Sequence, residues 1–248
     1  MIILKTPEEI ELMRAAGKIL AACHREIATM IRPGVSTWDI DQFVEQFLAK
    51  HGAIPEQKGF HGYPYATCGS VNDVICHGFP KKEPLRDGDI VTIDMVVRKD
   101  GWLADSAWSY EVGNVSPEAK TLLEVTEKSL YLGIEQAVVG NRIGDISHAI
   151  QTYAQAQGYS VVRDFTGHGI GQEMHEEPFV PHFGPAGRGQ RLKEGMVITI
   201  EPMLNIGTYH VSIDEDGWTA RTRDGKLSAQ YEHTIAITAD GPVILTKQ

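Results

Sequence analysis

Acidic residues stand inside stretches of this sequence that otherwise predict buried strands. Asp94 lies within the β-branched run Ile90–Val97, where an ionised carboxylate without a partner is costly. The Asp100-Gly101 pair predicts a hairpin turn, and the returning strand carries Asp105. With a two-residue loop, strand alternation places Asp94 and Asp105 on one face as a diagonal pair. Two carboxylates this close share a proton or hold a cation; the alternative is the solvated face of an edge hairpin.

The second half of the chain repeats this pattern with glutamates. Glu201 and Glu232 each interrupt an apolar, β-branched run that predicts a strand. If these carboxylates converge with the two aspartates, they carry four negative charges, which two divalent cations neutralise. Such paired metals generate a hydroxide nucleophile and polarise a carbonyl, which favours hydrolysis of an amide or an ester.

Histidines supply candidate nitrogen ligands. His168 lies between glycines in the segment Thr166–Pro178, and His175 follows seven residues later. His77, in Asn72–Gly78, is a weaker candidate, since a single histidine is more often structural. One histidine and four carboxylates form an oxygen-rich set, unlike a closed Cys/His structural zinc site, and suit Mn, Fe, Co or Zn.

Composition excludes several classes of protein. The 248 residues carry a net charge of −10 and no basic block, which disfavours direct binding to nucleic acid. No apolar run approaches the about 20 residues that cross a bilayer, and the N-terminus is unlike a signal peptide. Three cysteines without a CxxC motif predict neither a disulfide framework nor a Cys-rich zinc site. We therefore expect a cytoplasmic protein without membrane contact.

The elements that must position these residues form two similar halves. Thr6-Pro7-Glu8-Glu9 and Ser36–Asp39 predict the starts of two helices, and Ser116-Pro117 predicts a third. Glycine, aspartate and histidine positions of the first half recur in the same order, at a nearly constant offset, in the second. Chance and shared helix and strand patterns are the alternative. We expect one α+β domain spanning 1–248, with antiparallel strands and half-repeats of about 1–112 and 113–248.

The motifs around these residues, taken together, resemble those of the type I methionine aminopeptidases. They are NDVICHG around His77, the Asp94 and Asp105 hairpin, GHGIG through HEEP around His168 and His175, IEPM and YEHTI. The resemblance covers essentially the whole chain. It implies the two-halved pita-bread fold, and removal of the initiator methionine from nascent chains whose second residue is small.

The resemblance also implies roles for individual residues. Two divalent metals would be bound by Asp94, Asp105, His168, Glu201 and Glu232, with Glu201 also the base for a metal-bridging hydroxide. His77 and His175 would contact the substrate amine or the scissile amide. The methionine pocket would contain Phe60, Tyr63, Cys68, Met174 and Trp218, although Met174 and Gln57 depart from the residues common in relatives. In some relatives a monovalent cation lies near the equivalents of Asn72, Val74 and Ser228.

Three alternatives stay open from the sequence. Prolidases and Xaa-Pro aminopeptidases share the fold and the ligands, but usually carry an additional N-terminal domain, for which a first helix at Thr6 leaves no room. The chain could be a non-enzymatic peptide-binding or ribosome-docking protein of the same fold. Structural metals are the third alternative, which leaves His77 and His175 unexplained. The expected partners are N-terminal methionyl peptides and, transiently, the ribosome, with the chain acting as a monomer.

Overall fold

The computed structural model describes residues 1–248 as four α-helices and fifteen β-strands. The helices are α1 (Pro7–Met30), α2 (Thr37–Lys50), α3 (Pro117–Glu135) and α4 (Ile143–Ala156), and a short 3₁₀ turn spans Phe60–Gly62. The strands are β1 (Ile54–Pro55), β2 (Cys68–Val71), β3 (Val74–Cys76), β4 (Ile90–Lys99), β5 (Trp102–Glu111), β6 (Ser160–Val161), β7 (Gly167–Gly169), β8 (Glu176–Val180), β9 (Val197–Ile200), β10 (Met203–Asn205), β11 (Val211–Ile213), β12 (Ala220–Thr222), β13 (Ser228–Gln230), β14 (His233–Thr238) and β15 (Gly241–Ile244). No helix has an apolar stretch long enough to cross a membrane.

The helices begin at the capping residues that the sequence predicts. The side chains of Thr6 and Ser36 each accept a hydrogen bond from the backbone N–H three residues on. The side chains of Glu9 and Asp39 accept from the backbone N–H of Thr6 and Ser36, which completes two capping boxes. Ser116 caps α3 in the same way, through Ala119. These caps satisfy backbone N–H groups that a helix start leaves without partners.

All strand pairs are antiparallel, which confirms the predicted α+β class. In a four-stranded sheet, β5 pairs with one edge of β4 along its whole length, and β1 and β2 pair with different parts of the other edge. A five-stranded sheet has the order β15-β14-β9-β7-β8. One buried apolar cluster joins α1 and α2 to β4 and β5, and a second joins α3 and α4 to β9 and β14. The order of two helices followed by strands thus occurs twice; that it arose by duplication is a proposal.

The hairpin that carries the two aspartates has the predicted register. Asp94 pairs with Ala107 and Val96 with Asp105 across the turn at Asp100 and Gly101. Asp100 has a φ of 49°, as this turn requires. Asp94 and Asp105 therefore lie on one face, as predicted.

The two glutamates differ slightly from prediction, because neither lies inside a strand. β9 ends at Ile200, since Pro202 has no N–H with which to continue the ladder beyond Glu201. Glu232 lies in the break between β13 and β14, where its N–H donates to Ala107 O across the molecule at 2.8 Å. Each carboxylate therefore projects from a strand end rather than from a continuous ladder.

The same break joins the two halves along a line that we call the seam, formed by β5 and residues 230–234. Asp105 N donates to Thr234 Oγ1 at 3.0 Å, and Thr234 Oγ1 donates back to Asp105 O at 2.8 Å. Ser106 Oγ donates to Glu232 O at 3.0 Å. These bonds place ligand candidates from both halves of the chain against one another.

Candidate functional site

A cavity of about 450 Å³ opens over the seam. It is lined by all the residues that the sequence analysis assigns to the metals, to the substrate contacts and to the methionine pocket: Phe60, Tyr63, Cys68, His77, Asp94, Asp105, His168, Met174, His175, Glu201, Trp218 and Glu232. The cavity thus brings together residues from strands, strand ends and loops of both halves.

At the centre of the cavity, Asp105, His168 and Glu232 each present a ligand atom within 4.8 Å of the others. All three are buried, and Asp105 Oδ1 and Glu232 Oε1 have no hydrogen-bond partner. Buried carboxylate oxygens without a donor are costly unless a cation satisfies them. The residues present therefore fit a divalent metal ion.

His168 is oriented so that one ring nitrogen faces these carboxylates. Its Nδ1 lies 2.9 Å from Gly169 O, and a carbonyl only accepts, so Nδ1 carries the proton. The lone pair is then on Nε2, which lies 3.6 Å from both Asp105 Oδ2 and Glu201 Oε1. Such a backbone contact fixes the tautomer of a metal-ligating histidine.

Glu201 is held by three neighbours. Thr199 Oγ1 donates to Glu201 Oε1 at 2.8 Å, and Gln230 Nε2 donates to Oε2 at 3.3 Å. The backbone N–H of Glu201 donates to Nε2 of the buried His182 at 3.1 Å. The carboxylate is therefore fixed at the cavity surface with one oxygen towards His168.

The carboxyl groups of the site have raised pKa values. Burial raises the pKa of Asp94 and Glu232 well above the ordinary carboxyl range, and the charge of Asp105 adds to both effects. Burial is also the main cause of the raised pKa of Asp105 and of Glu201. Such shifts mean that these groups cannot all ionise together without compensating positive charge.

His77 and His175 lie on the wall of the cavity, outside the carboxylate cluster. His77 has a φ of 56°, a left-handed conformation that is unusual outside glycine and is concentrated at functional sites. His175 lies edge-on to His168, with ring centroids 4.4 Å apart. Burial lowers the pKa of His77 and lowers that of His175 to about 4, so both rings are neutral at pH 7.

The other wall of the cavity is largely apolar. Tyr63 packs edge-on against Trp218 at 5.1 Å, and Phe60 packs edge-on against His175 at 5.3 Å. Cys68 and Met174 are buried beside them. Gln57 closes this side, because its amide accepts from Val96 N and donates to Cys68 Sγ. An apolar recess therefore lies beside the polar cluster.

The positions suggested for a monovalent cation lie away from this cluster. Ser228 N donates to Asn72 O at 3.0 Å, and Ser228 Oγ is buried without a partner. Asn72 has a φ of 53°. Two of the three positions are thus in direct contact.

The sequence analysis did not identify the residues that hold the predicted ligands in place. Thr199, Gln230 and His182 position Glu201, and Phe165 packs edge-on against His77 at 5.2 Å. Thr199 lies two residues before Glu201, and alternation along an extended chain puts the two side chains on one side, which is the signal that could have identified Thr199. Gln230 and His182 reach Glu201 from other parts of the chain, so no local spacing identifies them.

The chain matches the model of metallopeptidase family M24 over residues 11–239. It is 51% identical to methionine aminopeptidase 1 of Bacillus subtilis over 247 residues, which is 100% of both chains. The crystal structure of methionine aminopeptidase from Rickettsia prowazekii superimposes with a TM-score of 0.98 at 45% identity, over 99% of this chain and 100% of that one.

A prolidase from Pyrococcus furiosus is more distant. It superimposes with a TM-score of 0.80 at 25% identity, and the match covers 99% of this chain but 66% of the prolidase. The pita-bread fold is therefore shared with both groups, whereas identity over full length is shared with the aminopeptidases. Because the family model covers most of the chain and the full-length relatives are about half identical to it, the chain belongs to the methionine aminopeptidases of metallopeptidase family M24.

Proposed function

We propose that this protein hydrolyses the first peptide bond of chains that begin with methionine. The observation that carries the proposal is the cluster of Asp105, His168 and Glu232 in an open cavity, where one ligand atom of each lies within 4.8 Å of the others and both carboxylates have a buried oxygen without a donor. An acceptor-only cluster of this kind suits metal-assisted hydrolysis. The apolar recess beside it is of a kind that accepts an unbranched thioether side chain.

Members of a metallopeptidase family use divalent metal, and we infer two ions for this chain, of Mn, Fe, Co or Zn. Asp94, Asp105, His168, Glu201 and Glu232 would hold them. When bound, the ions supply a nucleophile from water near neutral pH and polarise the substrate carbonyl. The proposed set of four carboxylates and one histidine is rich in oxygen, which suits these metals, and it differs from the closed Cys/His set of a structural zinc site.

The chain's own residues divide the remaining work. Glu201 takes the proton of the attacking water at its carboxylate and passes it to the leaving amine. His77 and His175 donate or accept hydrogen bonds at the substrate amine and at the scissile amide. Neutral rings suit this task, because each then offers one donor and one acceptor. Met174, Phe60 and Trp218 exclude water around the methionine side chain.

The proposed substrates are nascent proteins whose second residue is small, and the proposed compartment is the cytoplasm, where these chains are made. We propose that the chain acts as a monomer with transient ribosome contact. A net charge of −10 does not itself attract it to RNA. A monovalent cation near Asn72, Val74 and Ser228 would satisfy the buried Ser228 hydroxyl.

Peptide selectivity tests this function directly. Manganese-loaded protein is expected to hydrolyse Met-Ala-Ser and to leave Xaa-Pro peptides intact, because the recess fits methionine and relatives of matching length are methionine aminopeptidases. Liquid chromatography of the released amino acid provides the measurement. Preference for Xaa-Pro would favour a prolidase-like activity, and binding without hydrolysis of either peptide would favour a non-enzymatic peptide-binding protein.

The two histidines outside the ligand cluster should affect turnover and not metal content. His77→Ala and His175→Ala are each expected to lower kcat by about 10²–10³-fold, the usual effect of losing one transition-state hydrogen bond. Metal analysis of the purified variants should match that of the unmodified protein. If both variants lose metal in proportion to activity, these histidines are ligands and the assignment is wrong.

A further inference from the structure

We propose that a buried ion pair between Lys5 and Glu176 positions His175 for its contact with the substrate. Lys5 lies two residues before α1 begins, and Glu176 directly follows His175 in the chain. The inference rests on the proposed role of His175. If Lys5 acts in this way, the N-terminal segment contributes to the rate of peptide hydrolysis although it lies outside the cavity.

The pair is almost fully enclosed. Lys5 Nζ donates to Glu176 Oε2 and also to Ile3 O at 3.1 Å. The two side chains are 2% and 7% exposed, whereas those of the comparable pair Lys58 and Glu45 are 46% and 31% exposed. Removing one member of an enclosed pair leaves the other charge buried without a partner, which is costly. At an exposed pair, water solvates the remaining charge, so the cost is small.

Lys5 is itself fixed to the body of the protein. Its backbone N–H donates to Gly195 O at 2.7 Å, just before β9 begins. A Cβ on Gly195 would lie 2.9 Å from Lys5 O, so the two segments are in direct backbone contact. Through Lys5, Glu176 is therefore connected to the segment that leads into β9 and on to Glu201.

The loop between Gly171 and Glu176 folds around the same ion pair. A Cβ on Gly171 would lie 2.5 Å from Glu176 Oε1 and 2.6 Å from Lys5 Cε, so a larger residue there would displace the ion pair. Leu103 N donates to Gly171 O at 2.9 Å, which fixes the start of the loop to β5. The ion pair fixes the other end.

His175 depends on these anchors because it is only partly buried in the cavity wall. The ring is held by edge-on packing against His168 and Phe60. Its two chain neighbours are anchored instead: Met174 belongs to a buried apolar cluster, and Glu176 is bound to Lys5. Glu176 also begins β8 and pairs with Gly169, so losing Lys5 removes one of the two anchors on this side of His175 and loosens the end of the strand. A displacement of about 1 Å in a catalytic group can cost about 10²-fold in rate.

Lys5→Met tests the inference, with Lys58→Met as the matched control at an exposed pair. In manganese-loaded protein, Lys5→Met is expected to lower kcat on Met-Ala-Ser by about 10-fold or more, with metal content unchanged. Hydrogen exchange should become faster at the amides of residues 171–176 and not elsewhere in the five-stranded sheet. Lys58→Met should alter neither measurement.

The deciding comparison is a double-mutant cycle with His175→Ala. If Lys5 acts through His175, Lys5→Met has no further effect on kcat in the His175→Ala background. An equal loss in both backgrounds, or no loss in either, overturns the inference. Full activity of His175→Ala alone would instead overturn the proposed role of His175. Should Lys5→Met not fold, the same cycle with Glu176→Gln, which removes the charge but keeps the side-chain size, gives the decision.

Discussion

Replacing Glu201 by Gln is expected to lower kcat on Met-Ala-Ser by about 10²–10⁴-fold, the usual effect of losing a general base. Gln keeps the volume and one oxygen that accepts from Thr199, so the fold and part of the metal content should be retained. It cannot take a proton from the attacking water. Steady-state kinetics, metal analysis and the melting temperature are the measurements.

Two further variants make this result specific. Glu201→Asp keeps the charge but shortens the side chain by one methylene, and its kcat should lie between those of the unmodified protein and Glu201→Gln. Glu194→Gln makes the same chemical change at an exposed position nearby and should have no effect. Near-normal turnover of Glu201→Gln would mean that the proton goes elsewhere, and His77 would become the better candidate for the base.

Removing divalent metal with a strong chelator is expected to abolish turnover, and adding Mn, Co or Fe is expected to restore it. The reason is the set of four carboxylates with raised pKa values, which cannot all ionise in one pocket without cations. Activity in protein shown by elemental analysis to be free of metal would contradict the metal-dependent mechanism.

The same pKa shifts predict how metal changes stability with pH. In metal-free protein the folded state keeps protons that the unfolded chain releases near pH 4, so the free energy of unfolding falls as the pH rises from there towards neutrality. Metal replaces those protons, so its stabilisation grows over the same range. The difference in melting temperature between loaded and metal-free protein should therefore be larger at pH 7.5 than at pH 5.5, by differential scanning calorimetry.

The site could be predicted from the sequence because its carboxylates stand in runs that otherwise predict buried, apolar strands. Asp94 in a β-branched run is costly unless something compensates it, and the Asp100-Gly101 turn sets the hairpin register. The helix starts at Thr6 and Ser36 could likewise be predicted from local capping patterns. These features depend on residues that are close in the chain.

Features that depend on contacts between residues far apart in the chain could not be predicted from the sequence. Glu232 leaves the strand ladder because its N–H bonds to Ala107, a contact that no local pattern contains. The partnership of Lys5 with Glu176 also spans most of the chain, and an isolated lysine near an N-terminus predicts a solvated side chain. Gln230 and His182 gain their roles only once Glu201 has been placed beside them.

The seam also determines when the protein can acquire its metal. The bonds between Asp105 and Thr234 join positions 129 residues apart, and His168, Glu201 and Glu232 all lie in the second half of the chain. A chain with only its first half folded would have two of the five proposed ligands, Asp94 and Asp105, and would not bind an ion tightly. Contacts of such long range form late and slow the folding of the chain. The proposed metal site is therefore completed only when both halves have folded, so we expect metal binding and peptidase activity to appear together with the native structure and not before it.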